Sequence, residues 1–206
     1  MARRTKQDAD ATRQALLDAA ELVFYDKGVA RASLAEIAQA AGATRGAIYW
    51  HFKDKVDLFN AMMDRVTLPL EAACNAGEVV GLGDPLLRVR SVVRQLLAVM
   101  VTDAHTRRVF EIGMYRIEYV SELSGVRERH QAVLLRFRAL LARDLELAAQ
   151  RAALVLPMAA SDVALGLQAL FDGLLQVWIL GGADFDLCAI GLGAVDAYLR
   201  GLGFDV

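Results

Sequence analysis

The stretch Ser33–Lys55, SLAEIAQAAGATRGAIYWHFKDK, decides the fold. It opens with a capping box, in which Ser33 and Glu36 can satisfy two amides at the start of a helix. Apolar residues at helical spacing follow, and Gly42 suits the left-handed conformation in which helices often end. Thr44 can then cap a second short helix. Two short helices around a glycine-containing turn predict a helix-turn-helix motif.

The second helix of this motif would carry the residues that meet DNA. Ile48 and Phe52 lie four residues apart, so we expect both to face the core. Arg45 can donate two hydrogen bonds to a guanine edge, and other donors nearby can bind phosphates. The alternative is an ordinary three-helix packing unit with a solvated face. The predicted DNA-contacting residues are Ser33, Thr44, Arg45, Gly46, Ala47, Tyr49, His51 and Lys55.

The residues before this stretch predict an arm and one more helix. Met1–Gln7 is basic and is either a DNA-contacting arm or a tail of no consequence. The apolar spacing of Asp8–Lys27 predicts a helix, which Gly28 ends. With the two short helices it makes a three-helix unit.

Composition bounds the class of protein. Hydrophobic residues make up 56% of the 206 residues, above the usual 45–50%, so a dimer face or a ligand cavity is expected. The net charge of −2 argues against a uniformly basic coat for nucleic acid. Two distant cysteines, Cys74 and Cys188, and no signal peptide predict reduced thiols in a cytoplasmic protein.

The sequence lacks enzyme signatures. It holds no P-loop, no HExxH, no GxSxG and no complete GxGxxG motif. Glu128 and His130 lie two residues apart, so they would not share one face of a helix, as a di-metal carboxylate site would require. We therefore expect no enzyme activity, catalytic residue, metal or cofactor.

The apolar spacing in the remaining two-thirds of the chain predicts further helices. Asp54 can cap the next one, and Pro69 inside it predicts a kink or break. Gly77–Pro85 is a predicted loop. Further helices are predicted from Pro85 to about Val101 and over Thr106–Leu123, Gly125–Ala153, Val163–Gly182 and about Asp186–Leu202.

Val163–Gly182 has the length of a membrane span. Asp172 lies near its middle, and a charge there costs at least about 2.5 kcal/mol, so a core helix that also forms a subunit interface is predicted. Gln168, Asp172 and Gln176 recur every four residues as a polar stripe. The stripe faces solvent, meets an arginine from another helix, or lines a cavity.

The segments MARRTKQDADATRQALLDAAELVFYDKGVA, SLAEIAQAAG and TRGAIYWHFKDK resemble the TetR family of transcriptional repressors, above all the multidrug-efflux subgroup. The similarity is nearly gap-free over residues 1–60 and can be followed later, at HTRRVFEI and FDGLLQVW. It implies an all-α fold, with a DNA-binding domain at 1–53 (arm 1–7, helix-turn-helix about 33–52) and a ligand-binding and dimerisation domain at 54–206.

The resemblance also implies a function and a ligand site. A homodimer would repress an efflux-pump operon from a palindromic DNA operator, be released by a hydrophobic small-molecule inducer, and have no membrane partner. Asp172 would favour cationic amphipathic ligands. For each apolar residue of this implied ligand site, the alternative is that its side chain belongs to the ordinary hydrophobic core. A small-molecule- or lipid-binding helical protein with a non-functional DNA unit is the alternative function, and a helical enzyme is a third. The implied ligand contacts are Val66, Thr67, Leu70, Phe110, Met114, Phe171, Asp172 and Gln176.

Overall fold

A computed structural model describes residues 6–76, 83–118 and 123–206. Helices form the regular structure of these residues, which confirms the predicted all-α fold. In chain order the helices are α1 Lys6–Lys27, α2 Leu34–Ala40, α3 Arg45–His51, α4 Lys55–Ala76, α5 Pro85–Thr102, α6 Ala104–Tyr115, α7 Ser124–Arg151, α8 Ala160–Leu180 and α9 Leu187–Gly201.

Contacts divide the chain into two compact units. The first contains the residues up to Leu68 together with His105–Gln131. Within it, α1 packs against both α2 and α3. Apolar side chains from these three helices and from α4 form the core, because each helix turns one stripe inward. This core includes Leu16, Leu17, Phe24, Ile37, Ile48, Phe52, Leu58 and Phe59.

Local hydrogen bonds explain where the short helices begin. The Ser33 hydroxyl accepts from the Glu36 amide, and the Glu36 carboxylate accepts from the Ser33 amide, so the predicted capping box is confirmed. The Ala47 amide donates to Thr44 Oγ1 at 3.2 Å, which confirms the second cap. Gly42 has φ +64, the left-handed conformation predicted for the turn.

The second unit contains Pro69–Ala104 and Ala132–Val206. In it α9 packs against α5 and α8. Two arginines of α5 fix neighbouring helices through paired hydrogen bonds. Arg88 donates to Asp144 of α7 at 3.1 and 2.8 Å, and Arg90 donates to Asp196 of α9 at 2.7 and 2.8 Å.

The structure corrects one predicted helix boundary. The helix predicted over Thr106–Leu123 ends at Tyr115, because the Arg116 carbonyl accepts a hydrogen bond from the Val29 amide at 2.8 Å. At Pro69, where a kink or a break was predicted, α4 continues to Ala76, so the helix does not break there and the kink stays a prediction. The arm up to Thr5, the predicted loop up to Leu82 and the side chain of Cys74 lie outside the described residues.

Helix α8 is the one described helix that is long and apolar enough to cross a membrane by length and composition. One of its faces is nonetheless buried within the second unit, and Leu167 and Leu175 are at most 1% exposed. Tyr198 of α9 donates to the Val163 carbonyl of α8 at 2.9 Å. These contacts are those expected of a core helix.

Candidate DNA-binding surface and polar stripe

Helix α3 has a buried face and an exposed face. Ile48 is fully buried and Phe52 is 2% exposed, as the sequence predicts. On the other face Arg45 and Gly46 are exposed, and Tyr49 is 51% exposed. The Arg45 guanidinium lies 5.9 Å from the centroid of the Tyr49 ring. At that distance the guanidinium and the ring make a cation–π contact on the exposed face of α3.

Trp50 also lies on the exposed face, and the sequence prediction did not include it. It is 73% exposed, and its ring meets that of His51 edge-on at 4.5 Å between centroids. The sequence does contain a signal for Trp50. A residue two positions after the inward-facing Ile48 lies on the opposite side of the helix, away from the protein core. A large aromatic side chain left in solvent indicates a contact surface.

A cleft of about 830 Å³ separates the start of α1 from α3. The α1 side contributes two cations, Lys6 and Arg13, which the predicted set had also omitted. The Arg13 guanidinium lies 5.2 Å from the Phe52 ring centroid. Positive charge beside an exposed helix start suits the sugar–phosphate backbone of DNA. The cleft is lined by Lys6, Ala9, Asp10, Arg13, Thr44, Gly46, Ala47, Trp50 and His51.

Two predicted DNA-contacting residues, Ser33 and Lys55, already have partners within the protein. Ser33 Oγ donates to Glu36 Oε2 at 2.9 Å and accepts from the Glu36 amide. Lys55 Nζ donates to the carbonyls of Ala30 and Ala32 at 2.7 and 3.1 Å, which uses two of its three protons. Ser33 therefore shapes α2 and Lys55 anchors the start of α4, and their contacts with DNA stay predictions.

The carboxylate of Glu36 is held in its charged form. Lys27 Nζ donates to it at 2.7 Å, and the Ser33 hydroxyl and amide donate as well. The Lys27 hydrogen bond, and then those from Ser33, lower the pKa of Glu36 to about 2. The capping box therefore persists throughout the neutral pH range.

Four of the predicted ligand contacts lie in the first unit. Val66 and Thr67 of α4 are 4% and 5% exposed, and Phe110 and Met114 of α6 are half-buried. The Thr67 hydroxyl donates to the Met63 carbonyl and accepts from Arg129 Nη2 at 2.8 Å. Thr67 is thus satisfied within the protein.

The other four predicted contacts lie in the second unit. Leu70 and Asp172 are half-buried, Phe171 is 7% exposed and Gln176 is exposed. The polar stripe on α8 therefore runs from the interior to the surface.

An arginine from another helix meets this stripe, which was one of the three alternatives for it. Arg138 Nε of α7 donates to Gln168 Oε1 at 3.1 Å, and Gln168 is 4% exposed. Burial raises the pKa of Asp172, and the hydrogen bond with Gln168 and the charge of Arg138 offset part of that increase. Asp172 is thus a partly desolvated acid that a cationic or hydrogen-bonding ligand could stabilise.

Comparison with known families identifies the class of protein. Residues 16–62 match the model of bacterial regulatory proteins of the tetR family, and residues 84–204 match the C-terminal region of MAATS-type transcriptional repressors. The chain belongs to the tetR family. Among the described residues, no three His, Cys, Asp or Glu side chains are grouped to hold a metal ion.

Individual relatives resemble this TetR-family chain along nearly its whole length. The transcriptional regulator TtgR of Pseudomonas putida is 37% identical over 91% of this chain and 89% of its own. NalD, the secondary repressor of the MexAB-OprM multidrug efflux pump in Pseudomonas aeruginosa, is 34% identical with a TM-score of 0.86, over 95% and 98% of the two chains. SmeT of Stenotrophomonas maltophilia in its triclosan complex is 30% identical with a TM-score of 0.81, over 93% and 91%.

Proposed function

We propose that this TetR-family protein represses a multidrug efflux operon and leaves its DNA operator when a hydrophobic small molecule binds. The observation that carries the proposal is the exposed face of α3, where Arg45, Tyr49 and Trp50 project from a capped helix. NalD and SmeT, which resemble the chain over more than 90% of its length, are repressors of multidrug efflux pumps. These relatives favour repression over the alternative of a ligand-binding protein with a non-functional DNA unit.

The DNA-binding half, residues 1–53, follows from the chemistry of α3. Arg45 lies in the first turn, the part of a recognition helix that meets base edges in the major groove. Its guanidinium would read a guanine, while Tyr49 and His51 would donate to phosphates. Lys6 and Arg13 on the opposite wall of the cleft would add positive charge toward the backbone.

Dimerisation would use α8 and α9. An apolar groove of about 510 Å³ runs along them, and Val177 on its wall is 61% exposed. The lining residues are Ala169, Leu170, Gly173, Leu174, Val177, Phe185 and Ile190. A second copy that covers this groove would form a four-helix bundle and present two recognition helices to a palindromic operator.

The ligand half, residues 54–206, would bind apolar molecules that carry a cation or a hydrogen-bonding group. Phe110 and Met114 on α6 supply adaptable apolar surface, and Asp172 on α8 supplies a partly desolvated acid. Triclosan, the chlorinated phenol in the SmeT complex, exemplifies the ligand chemistry. Release of DNA requires that the ligand bind one geometry of the protein better than another. We place the protein in the cytoplasm, with no membrane partner.

Fluorescence anisotropy with DNA from the promoter flanking the protein's own gene tests the DNA half. We expect tight binding at low salt that weakens steeply as salt rises, because phosphate contacts release counterions. An unrelated duplex of the same length is the control. Equal affinity for both duplexes at both salt concentrations would reject a specific regulator of that promoter and favour the ligand-binding alternative.

A further inference from the structure

A second pocket of the first unit, of about 410 Å³, lies between α1 and α4. Charged side chains of both signs line it, with Arg13 on α1 and Asp57, Asp64 and Arg65 on α4. We call it the α1–α4 pocket. Apart from Arg13, none of its residues lines the cleft beside α3 or belongs to the predicted ligand contacts. The remaining lining residues are Asn60, Ala61 and Leu68.

Two of the four charged side chains are already paired with groups outside the pocket lining. Arg65 Nη1 donates to Asp18 Oδ1 at 2.7 Å. Asp64 Oδ1 accepts from Arg129 Nε of α7 at 3.0 Å. The charges that remain to be neutralised in the pocket are therefore those of Arg13 and Asp57.

Arg13 and Asp57 carry opposite charges and do not pair with each other. Within the part of the chain that the structure describes, Arg13 makes a cation–π contact with the Phe52 ring but no ion pair or hydrogen bond. Asp57 Oδ2 accepts from the Lys53 amide at 3.0 Å, and its other oxygen has no donor among the described residues. Two opposite charges on facing helices, separated by a pocket, can be bridged by a ligand that carries both complementary charges.

Asn60 adds a hydrogen-bond acceptor that lacks a donor. Its Oδ1 is buried and has no hydrogen-bond partner among the described residues. Buried polar atoms nearly always have a partner, so this exception calls for an explanation. Asn60 lies three residues after Asp57, which places both on one face of α4. Because no donor holds the oxygen, the amide can turn toward the pocket without losing a hydrogen bond, and a ligand N–H group would satisfy it.

The balance of charges in the lining indicates the class of ligand. Two arginines and two aspartates give the lining no net charge, which suits a neutral molecule with separated charges better than a polycation or a polyanion. We propose that the α1–α4 pocket binds a small zwitterion of the class of free amino acids. Its ammonium group would donate to Asp57 and Asn60, and its carboxylate would accept from Arg13.

This site would compete with DNA for Arg13. The same side chain lines the cleft between α1 and α3, where its charge would face the sugar–phosphate backbone. A carboxylate bound in the α1–α4 pocket would hold the guanidinium on that side and remove one cation from the DNA-binding surface. A bound zwitterion would therefore weaken operator binding. This consequence rests on the proposed function, whereas the site itself does not.

Calorimetry on the full-length wild type without DNA tests the site. The probes are the common L-amino acids, 4-aminobutyrate and 6-aminohexanoate, each titrated to about 10 mM so that Kd values up to that range are detected. For each zwitterion that binds, the matched half-ligands are the analogue without the amine and the analogue without the carboxylate. We expect at least one zwitterion to bind, and its half-ligands to bind at least about tenfold more weakly, because each loses one charged hydrogen bond.

Matched variants assign the binding to this pocket. Asn60→Leu removes the acceptor with a side chain of similar size, and Arg13→Gln removes the cation. Arg127→Gln, an exposed arginine of α7 outside the pocket, is the control, and circular dichroism checks folding. Zwitterion affinity should fall at least about tenfold in Asn60→Leu and Arg13→Gln and stay unchanged in Arg127→Gln.

Anisotropy with promoter DNA then tests the competition for Arg13. Saturating zwitterion should lower the operator affinity of the wild type about fivefold or more and leave that of Asn60→Leu unchanged. A panel without any binder, half-ligands that bind as well as the zwitterion, or full binding by both pocket variants would overturn the site. A zwitterion that binds without changing operator affinity would overturn the competition. A wild type that does not bind promoter DNA specifically would contradict the proposed function, and calorimetry without DNA would still decide on the site.

Discussion

Arg45 is the residue on which the reading of DNA sequence depends. We expect Arg45→Ala to weaken specific operator binding by about 1–3 kcal/mol, roughly 5- to 150-fold, because a bidentate contact with guanine is lost. Arg127→Ala, an exposed arginine of α7, is the matched control and should bind normally. Anisotropy on operator and on a variant operator measures the change. An Arg45→Ala protein that kept both its affinity and its discrimination would exclude Arg45 as a base-reading residue.

The half-buried carboxyl group of Asp172 predicts how the stability of the protein depends on pH. Burial raises its pKa in the folded protein, so folding disfavours the ionised form, and the resulting destabilisation is fully present above that raised pKa. It is relieved as pH falls through the folded pKa toward the ordinary value of 3.8. Asp172→Asn should therefore raise Tm at pH 8, and the gain should shrink toward pH 4.

Thermal denaturation at a fixed protein concentration checks this prediction. Asp162→Asn, the same change at an exposed position of α8, is the control and should not show this pH-dependent gain. A gain for Asp172→Asn that grew as pH fell would contradict a raised pKa.

At the residue scale, the sequence predicted which side chains are exposed or buried better than it predicted which distant residues they contact. The exposed Arg45 and the buried Ile48 follow from helical spacing alone. The anchoring of Lys55 by the Ala30 and Ala32 carbonyls does not, because those carbonyls are more than 20 residues away and no periodicity relates them. The pairing of Glu21 with α6 was missed for the same reason, since its partners lie more than 80 residues on.

At the scale of elements, the helix starts with a capping side chain were predictable from the sequence, and the end of α6 was not. Ser33, Thr44 and Asp54 were each predicted to cap a helix, and each one does. A cap is a local hydrogen bond, so three or four residues of sequence contain it. The end of α6 depends on a carbonyl taken by distant Val29, which local sequence does not contain.

Helix α4 is the element that Pro69 weakens. A proline inside a helix removes one amide donor and clashes with the preceding turn, and Leu68 and Pro69 mark where the two units divide. Pro69→Ala should raise the free energy of unfolding by about 1–3 kcal/mol and reduce the release of operator by ligand. Urea titration and anisotropy measure the two effects. A Pro69→Ala protein that binds ligand and releases operator DNA as the wild type does would contradict a role for Pro69 in the response to ligand.

For the whole molecule, the prediction concerns dimerisation. Val177→Glu places a charge in the apolar groove of α8 and α9, so the protein should become monomeric in light scattering. Its operator affinity should fall by about 10²-fold or more, because two linked recognition helices bind far more tightly than one. Val155→Glu, at a position 90% exposed between α7 and α8, is the control. A dimeric Val177→Glu protein would reject this groove as the interface.

Ligand-driven release of DNA is the central claim for the whole molecule, and one titration tests it most directly. Wild-type protein bound to labelled DNA from its own promoter region is titrated with triclosan, and separately with tetraphenylphosphonium, at constant salt. We expect at least one of the two to lower the anisotropy toward that of free DNA and to raise the operator Kd about fivefold or more. Tight, salt-sensitive binding that neither compound weakens would contradict a ligand-released repressor.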